Sequence, residues 1–215
     1  MLVLGDAHAD DPARRRALLA AYEAADADVA LQTGDLLTYE LPTPTWFVAG
    51  NNEALDVIER LRGGDTEGTR NANLLASTAV ELAGLRVAGL SGNYAPTRYG
   101  KSRSELSGGR RRHFVRDDVE RLRRLDDVDV LLTHEAPHGV LETDGHDVGC
   151  RPVDDLLRSL APDLCLVGHH HEHAEAPFGS TRVVTLAPAW ESYYLLDPER
   201  LELSRRTTPS ARAED

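Results

Sequence analysis

The sequence predicts a layered α/β fold whose functional residues lie at the carboxyl ends of strands. Short apolar runs alternate with amphipathic stretches along the whole chain, which is the pattern of strand–helix units. Several apolar runs are followed at once by Asp, Asn or His, where such folds place their chemistry. The 215 residues are enough to bury one core. We expect one domain over residues 1–206 and a polar, frayed tail over residues 207–215.

Hydrophobic period and turn signals place the elements along the chain. Strands are predicted at 2–5, 29–33, 46–49, 74–76, 80–82, 86–90, 128–133, 164–167, 183–186, 193–196 and 201–203. Helices are predicted at 12–25, 53–62, 116–125 and 153–160. Turns at 83–84 and 197–198 join neighbouring strands into hairpins. Residues 91–113 form the one long irregular segment, and a loop of that length in a compact domain is usually functional or disordered.

The charge and composition of the chain indicate the salt conditions in which the protein works. The formal net charge is −12, and of the 24 basic residues only Lys101 is a lysine. Abundant acid with almost no lysine is typical of halophilic proteins, in which surface carboxylates maintain solubility in salt. A GC-rich genome that favours arginine codons is the alternative. In molar salt the Debye length is about 3 Å, so the overall acidity does not exclude an anionic substrate.

Neither a membrane segment nor a disulfide framework is predicted. The chain has no basic leader before an apolar stretch and no run of 18 apolar residues. Cys150 and Cys165 are too few for a stapled fold. We expect a cytoplasmic protein without a membrane partner.

Residues that bind metals follow five of the predicted strands. The segments read G-D-A-H at 5–8, G-D at 34–35, G-N-N-E at 50–53, T-H-E at 133–135 and G-H-H-H at 168–171. Singly, each has an ordinary explanation as a helix N-cap, a turn or a hydrogen-bonded structural histidine. Together they bring carboxylate, imidazole and amide ligands to one sheet edge, without thiolate. That set suits Mn²⁺, Fe or Zn²⁺ in place of a structural cysteine-type zinc.

Two of these segments carry ligands at positions i and i+2. Asp6 and His8 form one such pair, and His169 and His171 form the other. In extended backbone, residues two apart point to the same side. We therefore expect such a set to be able to chelate a metal from one edge of the sheet.

The five segments, in this order, resemble the signature D-x-H, G-D, G-N-H-D/E, H and G-H-x-H of calcineurin-like metallophosphoesterases. The likeness spans residues 5–171. It implies a four-layer αββα sandwich of mixed sheets, with the metal site at the carboxyl ends of the strands. It also implies two divalent ions per chain, about 3.5–4 Å apart, that activate a hydroxide for attack on phosphorus. Mn²⁺ is expected first, with Fe, Zn²⁺ or Co²⁺ as alternatives.

The resemblance also implies a role for each ligand position. The first ion would take Asp6, His8 and His171, the second would take Asn51, His134 and His169, and Asp35 would bridge the two. An anionic carboxylate has the two oxygens that a bridge needs. An amide ligand adds no charge and leaves the site electrophilic.

One position departs from the pattern. The family has His after the metal-binding Asn, as the group that stabilises the transition state or protonates the leaving group, whereas this chain has Asn52. An amide donates a hydrogen bond but supplies no proton at neutral pH. Glu53 fits the following acidic position, where its expected role is to orient its neighbour. Asn52 and Glu53 are thus the predicted catalytic positions, with the acid step in question.

Segment 86–113 resembles the stretch of RNA lariat debranching enzymes in which G-G-I-S-G precedes a long loop with basic residues. The predicted substrate-binding residues are Arg98, Lys101, Arg110, Arg111, Arg112 and His113. The arginines over 116–124 are better explained as the solvated face of a helix paired with acidic neighbours. Hydrolysis of a phosphodiester, with a nucleotide or nucleic acid as partner, is therefore expected.

Two alternatives stay open at this point. A phosphomonoesterase or protein phosphatase would use the same metals on another ester. A non-enzymatic scaffold derived from the fold would make Asn52 a step in the loss of activity, although all seven ligand positions hold residues that can coordinate. The physiological substrate, the native metal and the oligomeric state do not follow from the sequence.

Overall fold

The computed structural model describes residues 1–210. The strands are β1 (Leu2–Leu4), β2 (Ala30–Gln32), β3 (Glu40–Phe47), β4 (Arg70–Leu74), β5 (Thr78–Leu82), β6 (Leu85–Leu90), β7 (Val130–Thr133), β8 (Glu142–Thr143), β9 (His146–Asp147), β10 (Leu164–Val167), β11 (Ala174–Phe178), β12 (Thr181–Thr185), β13 (Ser192–Asp197) and β14 (Glu202–Thr207). The α-helices are α1 (Pro12–Ala25), α2 (Leu55–Arg62), α3 (Pro96–Tyr99), α4 (Arg116–Leu122) and α5 (Arg151–Leu160), and short 3-10 turns lie at Arg103–Glu105 and Gly108–Arg112.

Two six-stranded mixed sheets form the centre of the fold. The first has the order β14-β13-β1-β2-β3-β4 and the second the order β11-β12-β10-β7-β6-β5. The inner neighbours β1–β2–β3–β4 and β6–β7–β10–β12 are parallel, and the other pairs are antiparallel. The parallel strands of each sheet therefore end at one edge, where their loops meet.

Strand alternation explains the layers. In β1, Leu2 and Leu4 pack in the core under α1 and α2, whereas Val3 packs in the core between the sheets. In β7, Leu132 also faces the space between the sheets, and Leu131 packs under α4 and α5. Each sheet is thus buried on both faces, which is why its inner strands are apolar at nearly every position. The expected four-layer αββα sandwich is confirmed.

Local signals explain the elements that match prediction and those that do not. Helix α1 has the predicted bounds, because Asp11 caps its first turn through Ala13 N–H and Pro12 opens it. The strand predicted at 46–49 is wrong in its bounds, since β3 starts at Glu40. The two prolines of β3 fall where its pairing with β4 shifts register, and proline is tolerated there. Strands β8, β9 and β11 were not predicted.

At the carboxyl end, β14 runs through Thr207. The Thr208 hydroxyl donates to the Ala189 carbonyl at 2.7 Å, and its N–H donates to Glu191 O at 3.0 Å. The domain boundary after residue 206 stays a prediction, and residues 211–215 of the expected tail lie outside the described residues. Within residues 1–210, every helix is too short or too polar to cross a membrane.

Candidate metal centre

The seven predicted metal ligands lie at one edge of the sandwich, in loops that leave neighbouring strands. In the first sheet, Asp6 and His8 follow β1, Asp35 follows β2 and Asn51 follows β3; in the second, His134 follows β7, and His169 and His171 follow β10. Both sheets therefore contribute ligands. The side chains come together because parallel strands deliver their carboxyl ends to the same edge.

Asp6 is buried at the centre of this group. One carboxylate oxygen is 2.9 Å from His171 Nε2, and the backbone N–H of His169 donates to the carboxylate at 3.0 Å. Burial raises the pKa of Asp6, but His134, the His171 hydrogen bond and the His169 N–H lower it more, so the pKa lies below its usual value. Asp6, His8 and His171 each offer a ligand atom, and these atoms lie within 4.8 Å of one another. Three ligands of this kind are able to hold one metal ion.

Asp35 lies between two histidines. Its Oδ2 atom is 3.6 Å from His8 Nε2 and 3.8 Å from His134 Nε2. The backbone and side-chain N–H groups of Asn52 donate to the two carboxylate oxygens, each at 2.7 Å. Asp6, Asp35 and His134 form a second, fully buried group of possible metal ligands. Asp35 thus lies between a histidine of the first group and His134.

His134 shows how well the site fits a cation. Its Nδ1 atom is 2.9 Å from the Thr33 carbonyl, which only accepts, so this nitrogen carries the proton. Nε2 of the neutral ring then presents its lone pair to Asn51 Oδ1, 2.9 Å away. Two acceptors facing each other need a proton or a cation between them. Burial lowers the pKa of His134, yet Asp6 and Asp35 raise it more, so the site as a whole attracts positive charge.

Glycines next to the ligands permit this close approach. Gly34 has φ +115°, and a Cβ built on it would overlap His134 Nδ1. A Cβ on Gly50 would overlap Asp35 Oδ1. The G-D and G-N pairs in the sequence therefore have a steric reason, since any side chain would occupy the space of the ligands.

The expected extended geometry of the i, i+2 pairs is wrong. His8, His169 and His171 all have positive φ, at 44°, 73° and 55°. The chain turns immediately after β10, so His171 points to Asp6, whereas the ring of His169 lies 4.8 Å from that of His134. The two histidines reach different parts of the site because of this turn.

Glu135 and His170 were not predicted to belong to the site. Together with His169 they form a third group whose possible ligand atoms lie within 4.8 Å of one another. One oxygen of Glu135 accepts the Tyr94 N–H at 2.9 Å. Burial lowers the pKa of His170 to about 4, and the positive form is further disfavoured by His169. The only sequence signal was their position next to His134 and His169.

The two predicted catalytic positions differ in their contacts. Asn52 is exposed and binds Asp35, as described above. The Glu53 carboxylate is buried and accepts the N–H of Leu36 at 2.9 Å and the hydroxyl of Tyr39 at 2.6 Å. Burial raises the pKa of Glu53, although these hydrogen bonds oppose the shift. Glu53 therefore holds the loop of Asn52 against the loop of Asp35.

The predicted substrate-binding segment approaches the centre at two places. The N–H of Gly92 donates to Ala49 O at 2.7 Å, and Asn93 forms a parallel bridge with His113. Arg112 Nη2 donates to the carbonyl of Glu53 at 3.1 Å. The segment is thus attached to the loop that carries Asn51 and Asn52.

The side chains of the six residues predicted to bind substrate do not form one cluster. Arg111 pairs with Glu59 at 3.4 Å, and Arg110 and Lys101 are exposed. Arg98 Nη1 lies 3.5 Å from the Thr97 carbonyl. His113 Nδ1 is buried and has no hydrogen-bond partner among residues 1–210.

Comparison with known proteins identifies what the chain is similar to. A family model described as calcineurin-like phosphoesterase matches residues 1–173. Lariat debranching enzyme from Schizosaccharomyces pombe is 27% identical over 167 residues, covering 64% of this chain and 36% of that protein. The enzyme of the same name from Arabidopsis thaliana is 29% identical over 154 residues, covering 60% of this chain and 37% of that protein. The chain thus spans little more than a third of the length of these relatives.

A solved structure agrees in fold. The crystal structure of TT1561 of Thermus thermophilus superposes with a TM-score of 0.71, covering 97% of this chain and 98% of that chain. The identity is 19%, so the comparison speaks for the fold alone.

Proposed function

This chain belongs to the calcineurin-like phosphoesterase family, and from that premise we propose that it is a dinuclear, metal-dependent hydrolase of phosphodiesters. The observation that carries the proposal is the position of Asp35, whose Oδ2 lies 3.6 Å and 3.8 Å from the ring nitrogens of two histidines. A buried carboxylate with an imidazole on either side is what a pair of divalent ions needs.

The proposed ligand assignment is the one that the family resemblance implies, and the group Asp6, His8 and His171 agrees with it. These three residues would hold the first ion, Asn51, His134 and His169 would hold the second, and Asp35 would be shared. When bound, the two ions supply Lewis acidity and a hydroxide at near-neutral pH. Mn²⁺ is the ion we propose, because carboxylate, imidazole and amide ligands suit it and no thiolate takes part.

The residues of the chain orient these ligands. The Thr33 carbonyl fixes the proton of His134 on Nδ1, which leaves Nε2 as the coordinating atom. Asn52 donates to both oxygens of Asp35 and sets the plane of that carboxylate. Glu53 and Arg112 hold the loop that carries Asn52.

A diester substrate is supported from two sides. The relatives in the comparison are named lariat debranching enzymes, and a lariat branch is joined by a phosphodiester. In this acidic chain, segment 98–112 carries Arg98, Lys101, Arg103, Arg110, Arg111 and Arg112, and its last arginine reaches the loop of Asn52. A cationic loop beside the metals suits a substrate with a further phosphate or a nucleotide.

The test compares Asp35→Asn with Asp163→Asn. Asp163 precedes β10 at the opposite end of the sandwich and is exposed. We expect about two metal equivalents per chain in the wild type and in Asp163→Asn. Asp35→Asn should lose at least one equivalent and more activity than the roughly 10–100-fold that loss of an outer-shell partner costs. Metal content is measured by elemental analysis.

Activity is measured in parallel on bis-p-nitrophenyl phosphate and p-nitrophenyl phosphate. A higher kcat/KM for the diester supports the proposal. A higher kcat/KM for the monoester would instead show that the protein is a phosphomonoesterase. Full metal content and full turnover in Asp35→Asn would overturn the dinuclear site.

A further inference from the structure

Arg14 lies beside the metal centre, in helix α1 and outside the five sequence segments that carry the predicted ligands. Its guanidinium carbon is 4.3 Å above the ring of Trp190. That ring is 5.2 Å from the ring of His171 and 5.8 Å from that of His8. The indole therefore contacts a guanidinium and two proposed ligands of the first ion at the same time.

The position of Arg14 is unfavourable for the helix that carries it. Arg14 lies in the first turn of α1, where the macrodipole disfavours a cation and favours Asp or Glu. That turn contains no acidic residue. The contact with Trp190 and the N-cap carboxylate of Asp11, whose Oδ1 accepts the Arg14 backbone N–H at 2.9 Å, offset this cost.

Arg14 differs from the arginines of the chain that form ion pairs. Arg103, Arg111 and Arg123 pair with carboxylates. Within residues 1–210, the guanidinium of Arg14 forms neither an ion pair nor a side-chain hydrogen bond, and the residue is exposed.

Stacking on an indole leaves the edge of a guanidinium free. The ring covers one face, and the five N–H donors point outward in the plane. That edge matches two oxygens of a phosphate. We propose that Arg14 binds a phosphate oxygen of the substrate on the His8–His171 side of the centre, and that Trp190 positions the guanidinium. The inference rests on the proposed phosphoesterase function.

Arg14 would complement the cationic segment described above. That segment reaches the centre through Glu53, and Arg14 reaches it through Trp190 next to the first ion's ligands. A nucleotide diester has phosphates and sugars on both sides of the scissile bond, so it can use both contacts.

The experiment compares Arg14→Gln with Arg16→Gln, which removes an exposed charge from the same helix. Binding of inorganic phosphate and of a 5′-phosphorylated dinucleotide to Mn²⁺-loaded protein is measured by calorimetry. Loss of a charge-assisted hydrogen bond should weaken binding roughly 10- to 100-fold in Arg14→Gln, while phosphate binding in Arg16→Gln and the metal content of both variants stay unchanged. Arg14→Lys should show a smaller loss than Arg14→Gln, because lysine keeps the positive charge but lacks the planar guanidinium that can donate two parallel hydrogen bonds.

The two probes distinguish which phosphate is bound. Weaker binding of both probes indicates the scissile phosphate. Weaker binding of the dinucleotide alone indicates a neighbouring phosphate, and either result supports the inference. Affinities within twofold of Arg16→Gln for both probes would overturn it. Because binding is read directly, the result holds even if no diester is hydrolysed, which would refute the proposed function instead.

The role of Trp190 is tested by Trp190→Phe and Trp190→Leu, alone and combined with Arg14→Gln. If Trp190 positions Arg14, Trp190→Leu should weaken phosphate binding only while Arg14 is present, and Trp190→Phe should largely preserve phosphate binding. Equal losses with and without Arg14 would show that the indole acts independently. In a Trp46→Phe background Trp190 is the sole tryptophan, so its emission should change on phosphate binding when Arg14 is present but not in the Arg14→Gln variant.

Discussion

Asn52→His restores the imidazole that the calcineurin-like phosphoesterases have at this position. Asn52 is exposed, and its side chain makes one contact with the site, a 2.7 Å hydrogen bond from Nδ2 to Asp35 Oδ2. Its backbone N–H makes a second contact with the same carboxylate. The substitution removes only the first of these, so metal content should change little.

The size of the effect depends on the leaving group. General acid assistance contributes about 10²–10⁴-fold, and most where the departing alkoxide needs a proton. Nitrophenolate leaves without one. Loss of the hydrogen bond to Asp35 affects both reactions alike, and its cost should stay within the roughly 10–100-fold that is typical of outer-shell partners. Asn52→His should therefore raise kcat/KM for an alkyl-leaving diester relative to a nitrophenyl diester.

The assay measures both substrates at one metal and salt concentration, with metal content determined on the same samples. Asn52→Ala is the control, because it removes the hydrogen bond and adds no acid. It should lower both rates by the same factor. An unchanged ratio in Asn52→His with metal intact would show that this position is not where the acid step is controlled. His113, whose Nδ1 is buried without a partner in the described chain, would then be the next group to test.

Further predictions concern the loops around the centre. Gly50→Ala should lower the free energy of unfolding by about 1–3 kcal/mol and reduce metal content, because the new methyl group overlaps Asp35; Gly100→Ala, which meets no atom within 4 Å, is the control, and equal unfolding curves would contradict the steric argument. Arg110→Gln should raise KM for an oligonucleotide and leave a small chromogenic diester unaffected, since the exposed side chain is free to contact only the larger substrate. Arg112→Gln should lower kcat for both, because this guanidinium holds the loop between β3 and α2; a purely KM effect would assign it to substrate binding.

Much of the candidate site was predictable because its signals are local. An apolar run followed by Gly and a ligand is visible in the chain itself, and strand geometry then brings such residues to one edge. Asp6 and Asp35 were identified in this way and His134 by its place directly after a strand, and the structure brings their ligand atoms together. The bounds of α1 were predictable for the same reason, because Asp11 and Pro12 are neighbours in sequence. Manganese, halophilic origin and cytoplasmic location stay predictions.

What the sequence could not show depends on contacts between distant segments. The resemblance assigned His169 and His171 to different ions, but the turn with positive φ that separates their side chains was not predicted, because histidine rarely adopts that conformation. The run Arg110–Arg112 reads as one cationic patch, yet one guanidinium points to solvent and another reaches the carbonyl of Glu53, 59 residues away. Adjacent residues in a loop share no common face, so proximity in sequence says little about direction.

By itself, the sequence determined the order of most strands and helices and indicated most of the residues whose ligand atoms come together, since these are encoded in periods of a few residues. Only the tertiary structure decided that Asp35 lies between two histidines, and that Arg14 from a helix and Trp190 from a distant turn meet beside His171. The physical reason is that such contacts arise when two sheets and their helices pack together. The residues in such contacts lie far apart along the chain, so no local sequence pattern predicts that they meet.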